Sequence, residues 1–285
     1  MPAIINTNIN SLNAQRNVAS SQQALTVSIQ RLSSGLRVNS AKDDAAGLAI
    51  AERFNAQVKG NNVAVRNAND GISLSQTAEG ALSKVTDSLQ RMRELAVQAR
   101  NATNTASDKT SLDQEFGELA KEIQRVLGGT TFNNKKIVGA DAGDQIFQVG
   151  ANTTVNDSIT ITTKDFTTEA TVTAVAGTDQ TGAGRAVLTG DNTAIGGVID
   201  NIDTALNTVN SERAVYGATQ NRFDAVISNL MISVENQAAA RSRIVDADFA
   251  VETANLSRAQ ILQQAGNSMV AQANALPQQV LSLLR

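Results

Sequence analysis

The chain contains no histidine, no cysteine and no tryptophan among its 285 residues. Those absences remove imidazole bases, thiolate nucleophiles, disulfides and every metal site built on Cys or His. Aromatic residues make up 3% of the sequence, and Tyr216 is the single tyrosine. Catalysis would have to run on carboxylates, hydroxyls, lysines or that one phenol. A formal charge of −3 and a pI near 5.1 give no basic footprint of the kind a nucleic-acid binder carries. No apolar run is long enough to span a membrane. The start, "MPAIINTNINSLNAQRN", has neither the basic nor the continuous apolar segment of a secretory signal peptide. The expectation is a soluble chain with no membrane insertion, export by another route staying open.

What the chain does have is helical periodicity. Val18, Leu25, Ile29, Leu32 and Leu36 fall on one helical face. A second pattern runs Leu74, Ala78, Ala81, Val85, Leu89, Met92, Ala96, Ala99, and a third Leu112, Phe116, Leu119, Ile123, Val126. Toward the other end Ile195, Ile202, Val209, Tyr216, Phe223 and Leu230 recur every seven residues, with Ile199, Leu206, Ile227 and Val234 on a second seam that Arg213 and Gln220 interrupt. Such sustained heptads predict a coiled-coil rod. A last set, Leu262, Met269, Leu276 and Leu283, nearly reaches the final residue, and Pro277 is expected to kink or end that helix.

Between the helical halves, "IFQVGANTTVNDSITITTKDFTTEATVTAVAG" is rich in Thr and Val and reads as strands and hairpin loops. The following "TDQTGAGRAVLTGDNTAIGG" reads as a flexible connection. The expected fold class is mainly α: long coiled-coil helices from both chain ends, brought together, with a small β-hairpin-rich middle segment. Charge placement adds a constraint. Residues 1–30 hold one charged side chain, Arg16, and residues 259–284 hold none, although both stretches are amphipathic. Asn, Gln and Ser stand where a solvated helix would carry Lys and Glu, and such groups can be packed against neighbouring helices at lower cost than charges. Both faces of the terminal helices are therefore expected to be covered, by other copies of the chain.

No motif supports chemistry better than it supports structure. Ser40 and Asp43 fit a capping box, and Asp43 and Asp44 point about 100° apart on a helix, so they cannot pinch one substrate. On this reading Gly35 and Asn39 break one helix and Ser40 starts the next. "GAGRAV" lacks the third glycine of a phosphate cradle. "DADFAVE" lacks the ligand spacing of a calcium loop and reads as a solvated helix start. A membrane-surface helix would show Lys and Arg on its polar face, and these termini do not. Within "LQRMRELAVQAR", Arg91, Leu95 and Gln98 form a stripe rotated away from the core positions, an exposed leucine beside Arg and Gln.

Taken together, "IINTNINSLNAQRN", "QRLSSGLRVNSAKDDAAGLAIA", "LQRMRELAVQAR", "ARSRIVDADFA", "SRAQILQQAGNSMVAQAN" and "PQQVLSLLR" resemble the signature stretches of the bacterial flagellins. The resemblance covers about residues 1–150 and 196–285. It implies a structural subunit, not an enzyme and without a cofactor, that polymerises into an extracellular filament for swimming; a hook-filament junction protein is the alternative. It further implies residues 1–40 as the N-terminal helix of an inner tube, 41–150 and 196–245 as the two parts of a helical rod, 151–195 as a variable segment and 246–285 as the C-terminal tube helix. The implied partners are many copies of the chain, a cytosolic export chaperone, the type III flagellar export apparatus, hook-associated and cap proteins, and host receptors. The tube core and chaperone helix would use Leu262, Met269, Leu276, Val280, Leu281, Leu283 and Leu284. A plant receptor kinase would read residues 30–51, in which Gln30, Leu32, Gly35, Arg37, Asn39, Ser40, Lys42, Asp43, Asp44, Gly47 and Leu48 match the family's epitope. An animal Toll-like receptor would contact Gln90, Arg91, Leu95 and Glu115.

Overall fold

The computed structural model describes residues 7–282, with side chains described through residue 275. Six α-helices and one two-stranded sheet follow in chain order among the described residues: α1 (Ile9–Ser34), α2 (Ala45–Ala99), α3 (Ala106–Gly129), β1 (Asp144–Gln148), β2 (Ser158–Thr162), α4 (Ala170–Ala176), α5 (Asn192–Val245) and α6 (Phe249–Ser282). They divide into two compact units, one of residues up to Gln57 and from Glu235 onward, the other Val58–Val234.

In the first unit α1 and α6 pair antiparallel. Asn8 caps α1 by accepting a hydrogen bond from the Ser11 amide, and Gly35 ends the helix in the left-handed conformation at φ 72°. The inward positions of α1 are Ser11, Ala14, Val18, Ser21, Leu25, Ser28 and Leu32; those of α6 are Glu252, Leu256, Ala259, Gln263, Gly266, Val270 and Ala273. Both sets step three and four residues at a time, the signature of a coiled-coil seam. The seam corrects the sequence reading at several places. Ile29 is 51% exposed while its neighbour Ser28 is buried, because the seam follows the 3.5-residue step from Leu25 to Ser28 to Leu32. Leu36 lies beyond the helix, bridged to Asp246. Leu262 and Met269 lie outside the seam, 51% and 58% exposed. The small residues Ala259, Gly266 and Ala273 take the seam instead, since they let the helix backbones approach. α6 does not end at Pro277 but continues to Ser282.

The core of the second unit is built by α2, α3 and α5. The predicted α2 set is buried, and so are Ile195, Ile202, Val209, Tyr216 and Phe223 on α5. Thr105 opens α3 with a capping box closed by Asp108. Two polar clasps join α2 to α5. Arg93 donates to both carboxylate oxygens of Asp203, at 2.6 and 3.2 Å, and Arg213, read as a seam interruption, donates to Glu79 at 2.9 Å.

β1 and β2 pair antiparallel, with Phe147 opposite Ile159 and Ile146 opposite Thr160. Phe147 packs edge-on against Phe223 of α5 at 5.7 Å between ring centres. Ile159 and Ile161 are buried while Ile146 is 71% exposed, so the hairpin has one wet face. The end of the predicted strand region is helical instead. "ATVTAVA" forms α4 and buries Val172, Val175 and Ala176, whose spacing puts them on one helical side. β-branched propensity yields here to tertiary packing, and Gly177 at φ 81° stops the helix.

The segment after α4 is irregular but strapped down along α3. Gln124 donates to the Gly177 carbonyl, Arg185 binds both oxygens of Asp113 at 2.9 and 2.6 Å, the Leu188 amide donates to Asp113, and Lys109 donates to the Gly190 carbonyl. Leu188 is fully buried.

Candidate assembly and recognition surfaces

Three surfaces carry the residues singled out in the sequence. The first is the joint between α1 and α2. Past Gly35, the chain runs beside the end of α5: the Arg37 and Val38 amides donate to the Val245 carbonyl at 2.7 and 3.3 Å, and the Ala247 amide donates to Gly35 at 2.9 Å. The Arg37 guanidinium donates to the Ile244 carbonyl at 2.6 Å, so a cation sits on the free carbonyls that close α5. That placement suits the helix dipole and gives orphan acceptors a partner.

The acidic pair that follows is punctuation, but not at the residue the capping pattern suggests. Asp43 turns back to accept from the Asn39 amide, the Ser40 amide and the Ser40 hydroxyl, at 3.2, 2.9 and 2.9 Å. The Ser40 hydroxyl, then the Ser40 and Asn39 amides, hold its carboxyl below the ordinary range. This bonded turn precedes the helix. α2 begins four residues after the predicted start, where Asp44 accepts from the Gly47 amide at 2.8 Å. Gly47 is buried, and a Cβ there would collide with the Asp44 carboxylate. Leu32, Gly35 and Leu48 are half-buried, while Gln30, Arg37, Asn39, Ser40, Lys42, Asp43 and Asp44 are exposed.

The second surface lies on α2 and α3. Arg91 bridges the two helices, donating to Glu115 at 2.9 Å and to Glu94 at 2.8 Å. Gln90, Arg91 and Glu115 are exposed. Leu95 is not: at 1% exposure it belongs to the core. The stripe reading fails there because the buried arc of α2 takes in Met92, Leu95, Ala96 and Ala99, wider than a single-partner seam. Gln90, Arg93, Glu94, Val97 and Gln98 line a shallow groove on the same helix. Arg93 was not picked out in the sequence, since nothing local announces its partner Asp203.

On α6 the residues expected to serve the tube core divide in two. Leu262 and Met269 line an open groove with Ala265 and Gln272, against Asn10, Asn13, Asn17 and Ser20 of α1. No charged side chain lines it. Ile261, not predicted, adds a further exposed apolar group at 66%. Leu276, Val280, Leu281, Leu283 and Leu284 lie outside the residues whose side chains are described. Among the described residues no group of acidic side chains could hold a metal ion, and no helix is long and apolar enough to cross a membrane.

The fold is thus an antiparallel helix pair from the two ends of the chain that leaves amide and aliphatic groups exposed on its outer faces. Residues 5–141 match the bacterial flagellin N-terminal helical region and residues 199–284 the bacterial flagellin C-terminal helical region. A flagellin of Halalkalibacterium halodurans is 45% identical over 282 residues, 99% of this chain and 100% of that one. A flagellin of Xenorhabdus nematophila is 44% identical over 320 residues, and one of Serratia marcescens 42% over 352, each alignment covering 100% of both chains. These last two carry segments that this chain of 285 residues lacks. The crystal structure of Bacillus cereus flagellin, at 32% identity and a TM-score of 0.49, covers 62% of this chain and 94% of its own.

The chain belongs to the bacterial flagellins. It is a structural subunit of the extracellular flagellar filament, a motility polymer, and the relatives' names favour that over a junction protein.

Proposed function

We propose that the charge-poor outer faces of α1 and α6 are the surfaces that copies bury against one another in the filament. The observation that supports this is the groove containing Leu262 and Met269: large apolar side chains left outside the seam, rimmed by amides and free of charge. Residues 1–40 and 246–285 then build the inner tube, 41–150 and 196–245 the surrounding rod, and 151–195 a short outer segment. Export proceeds through the flagellar type III apparatus without a cleaved signal peptide. A cytosolic chaperone covers Leu276, Val280, Leu281, Leu283 and Leu284 before export, and hook-associated and cap proteins bound the polymer at its ends.

Host receptors read the free subunit. The plant receptor contacts the joint around Arg37, Asp43 and Asp44, and the animal receptor the bridge of Arg91 and Glu115 with Gln90 beside it. Leu95 contributes to that second surface from beneath, by holding α2 in place.

Seeded growth followed by electron microscopy tests the assembly reading. The full chain is expected to lengthen short filament seeds, and Leu262→Asp/Met269→Asp is expected to leave them short while its circular dichroism stays helical. Normal filament yield from the double variant would remove the groove from the assembly surface.

A further inference from the structure

The α1/α6 seam is repetitive in a way that leaves its register open. Val18 packs against Gly266 so closely that a Cβ on the glycine would stand 2.5 Å from Val18 Cγ2. Counting outward from that contact in the antiparallel sense, Leu25 falls opposite Ala259 and Leu32 opposite Glu252. In between, Ser21 faces Gln263 and Ser28 faces Leu256. Val18 and Leu25 of α1 thus meet small residues of α6, and Ser21 and Ser28 meet larger ones.

Sliding one helix by seven residues, about 10 Å at 1.5 Å per residue, preserves most of that match. Val18 then meets Ala273 or Ala259, and Ser21 meets Val270 or Leu256. Even the far-end polar contact repeats. Ser11 donates to Asn274 at 2.6 Å, and Asn267 stands one heptad earlier with the same amide. The ion pair at the near end is long, 3.8 Å between Arg31 and Glu252, with the Arg31 side chain one-third exposed. Glu252 itself is buried, its side chain 8% exposed, so a slip would part a buried carboxylate from its cation, and the pair opposes a slip to the extent that its length allows.

A second feature does not repeat either. The Arg37 guanidinium makes three contacts with the last carbonyls of α5, to Ile244 at 2.6 and 3.2 Å and to Arg243 at 3.5 Å. Beside it the backbone of Gly35, Arg37 and Val38 is hydrogen-bonded to Val245 and Ala247. α1 ends at one side of this joint and α6 begins at the other, so the joint fixes where the two helices start to run together. We propose that Arg37 is the register-setting residue of the α1/α6 coiled coil, selecting one heptad alignment out of a seam that accepts more than one. The role is positional, and it rests on the pairing within one chain; the filament reading supplies only the preparation.

The absence of native cysteine makes the test clean. Full-length chains carrying Ser21→Cys with Gln263→Cys report the observed register; Ser21→Cys with Val270→Cys or with Leu256→Cys reports a slip of one heptad either way. Each pair is grown onto filament seeds with Arg37 or with Arg37→Ala and oxidised. Intramolecular closure is then read as the fast-migrating monomer on a non-reducing gel. Seed elongation by the cysteine-free parent is scored alongside, so failure of assembly is read separately from failure of register.

With Arg37 the first pair is expected to close and the shifted pairs to stay open. With Arg37→Ala one shifted pair is expected to rise about tenfold, the scale of a lost charge-assisted hydrogen bond. If the alanine variant fails to elongate seeds, the same pairs are read with Arg37→Lys, which keeps the charge and loses the fork. Unchanged closure in the substituted chain, or equal closure of all three pairs with Arg37 in place, overturns the assignment.

Discussion

Phe223 of α5 lies so close to Gly71 of α2 that a Cβ on the glycine would stand 2.7 Å from the ring's Cζ. The same ring meets Phe147 of the hairpin edge-on. A helix-interior glycine ordinarily costs about 1 kcal/mol against alanine, yet here it makes the room in which helix, helix and hairpin meet. Gly71→Ala is expected to destabilise by about 1 to 3 kcal/mol despite its better helix propensity, because overpacking outweighs the gain. Chemical denaturation of the variant checks the sign: a more stable protein would mean that the ring moves aside freely.

Leu95 and Arg91 are expected to separate two effects that a receptor assay alone would merge. Leu95→Ala removes a fully buried side chain and should cost about 2 to 5 kcal/mol. Arg91→Ala breaks an exposed bridge and should leave the melting temperature unchanged. If Arg91→Ala abolishes receptor signalling at full stability, contact is lost; if Leu95→Ala does so only in proportion to its unfolding, its part is support. A Leu95→Ala chain of normal stability would contradict the burial.

The strap over α3 should be acid-sensitive. Burial raises the Asp113 carboxyl, but the Arg185 hydrogen bonds, the Leu188 amide and the Arg185 charge more than offset this and leave it lowered. A depressed carboxyl contributes stability that is present above its unfolded value of about 3.9 and is lost as pH falls through the folded value. The protection factor of the Leu188 amide, its exchange relative to the intrinsic rate at each pH, is expected to fall on acidification below that range. Asp113→Asn should show the low protection already at neutral pH; high protection in that variant would mean that Leu188 packing alone holds the strap.

Glu212 is expected to behave in the opposite sense. Burial raises its carboxyl, with Lys164 and the Tyr216 hydroxyl acting against that. Burial likewise pushes the Tyr216 phenol up, helped by Glu212. A raised carboxyl favours the protonated form in the folded chain, so stability falls as pH rises from the unfolded toward the folded value. Glu212→Gln should raise the melting temperature at neutral pH by about 2 °C and should change little in acid. A lower melting temperature at neutral pH would show that attraction to Lys164 outweighs burial.

Periodicity revealed the helices whose partners repeat along their length. The α2 set and the first α5 seam from Ile195 to Phe223 are buried as read, while Leu230 and the second α5 seam, Ile199, Leu206, Ile227 and Val234, are only half-buried. It failed where partners are several or small. Leu95 was misplaced because α2 is covered over a broad arc, which a one-face pattern does not anticipate. The α1/α6 seam was missed on the α6 side because Ala259, Gly266 and Ala273 make a weaker hydrophobic signal than Leu262 and Met269, though they are what permits close packing. α4 was hidden because Thr and Val favour strands in isolation, and only the packing of Val172 and Val175 reverses that. Ser40 was taken for a cap, since the sequence does not show that Asp43 folds back and leaves the capping to Asp44. For the candidate surfaces, Arg91 stands on a stripe the spacing shows and Glu115 enters only through the family resemblance, while Arg93 with Asp203 and Arg185 with Asp113 join segments too distant for any local pattern.

The faces that α1 and α6 turn outward hold hydrocarbon and amide groups, with Arg16 the only charge before Arg31 on α1 and none from residue 259 to 275 on α6. Dissolved ions screen charges but not dispersion or amide hydrogen bonds between neutral groups. On the proposed assembly, a polymer core closed by these faces would offer almost nothing for counterions to weaken, so its cohesion would carry over from dilute to salty water, and a swimming cell would not have to rebuild its propeller when the medium changes.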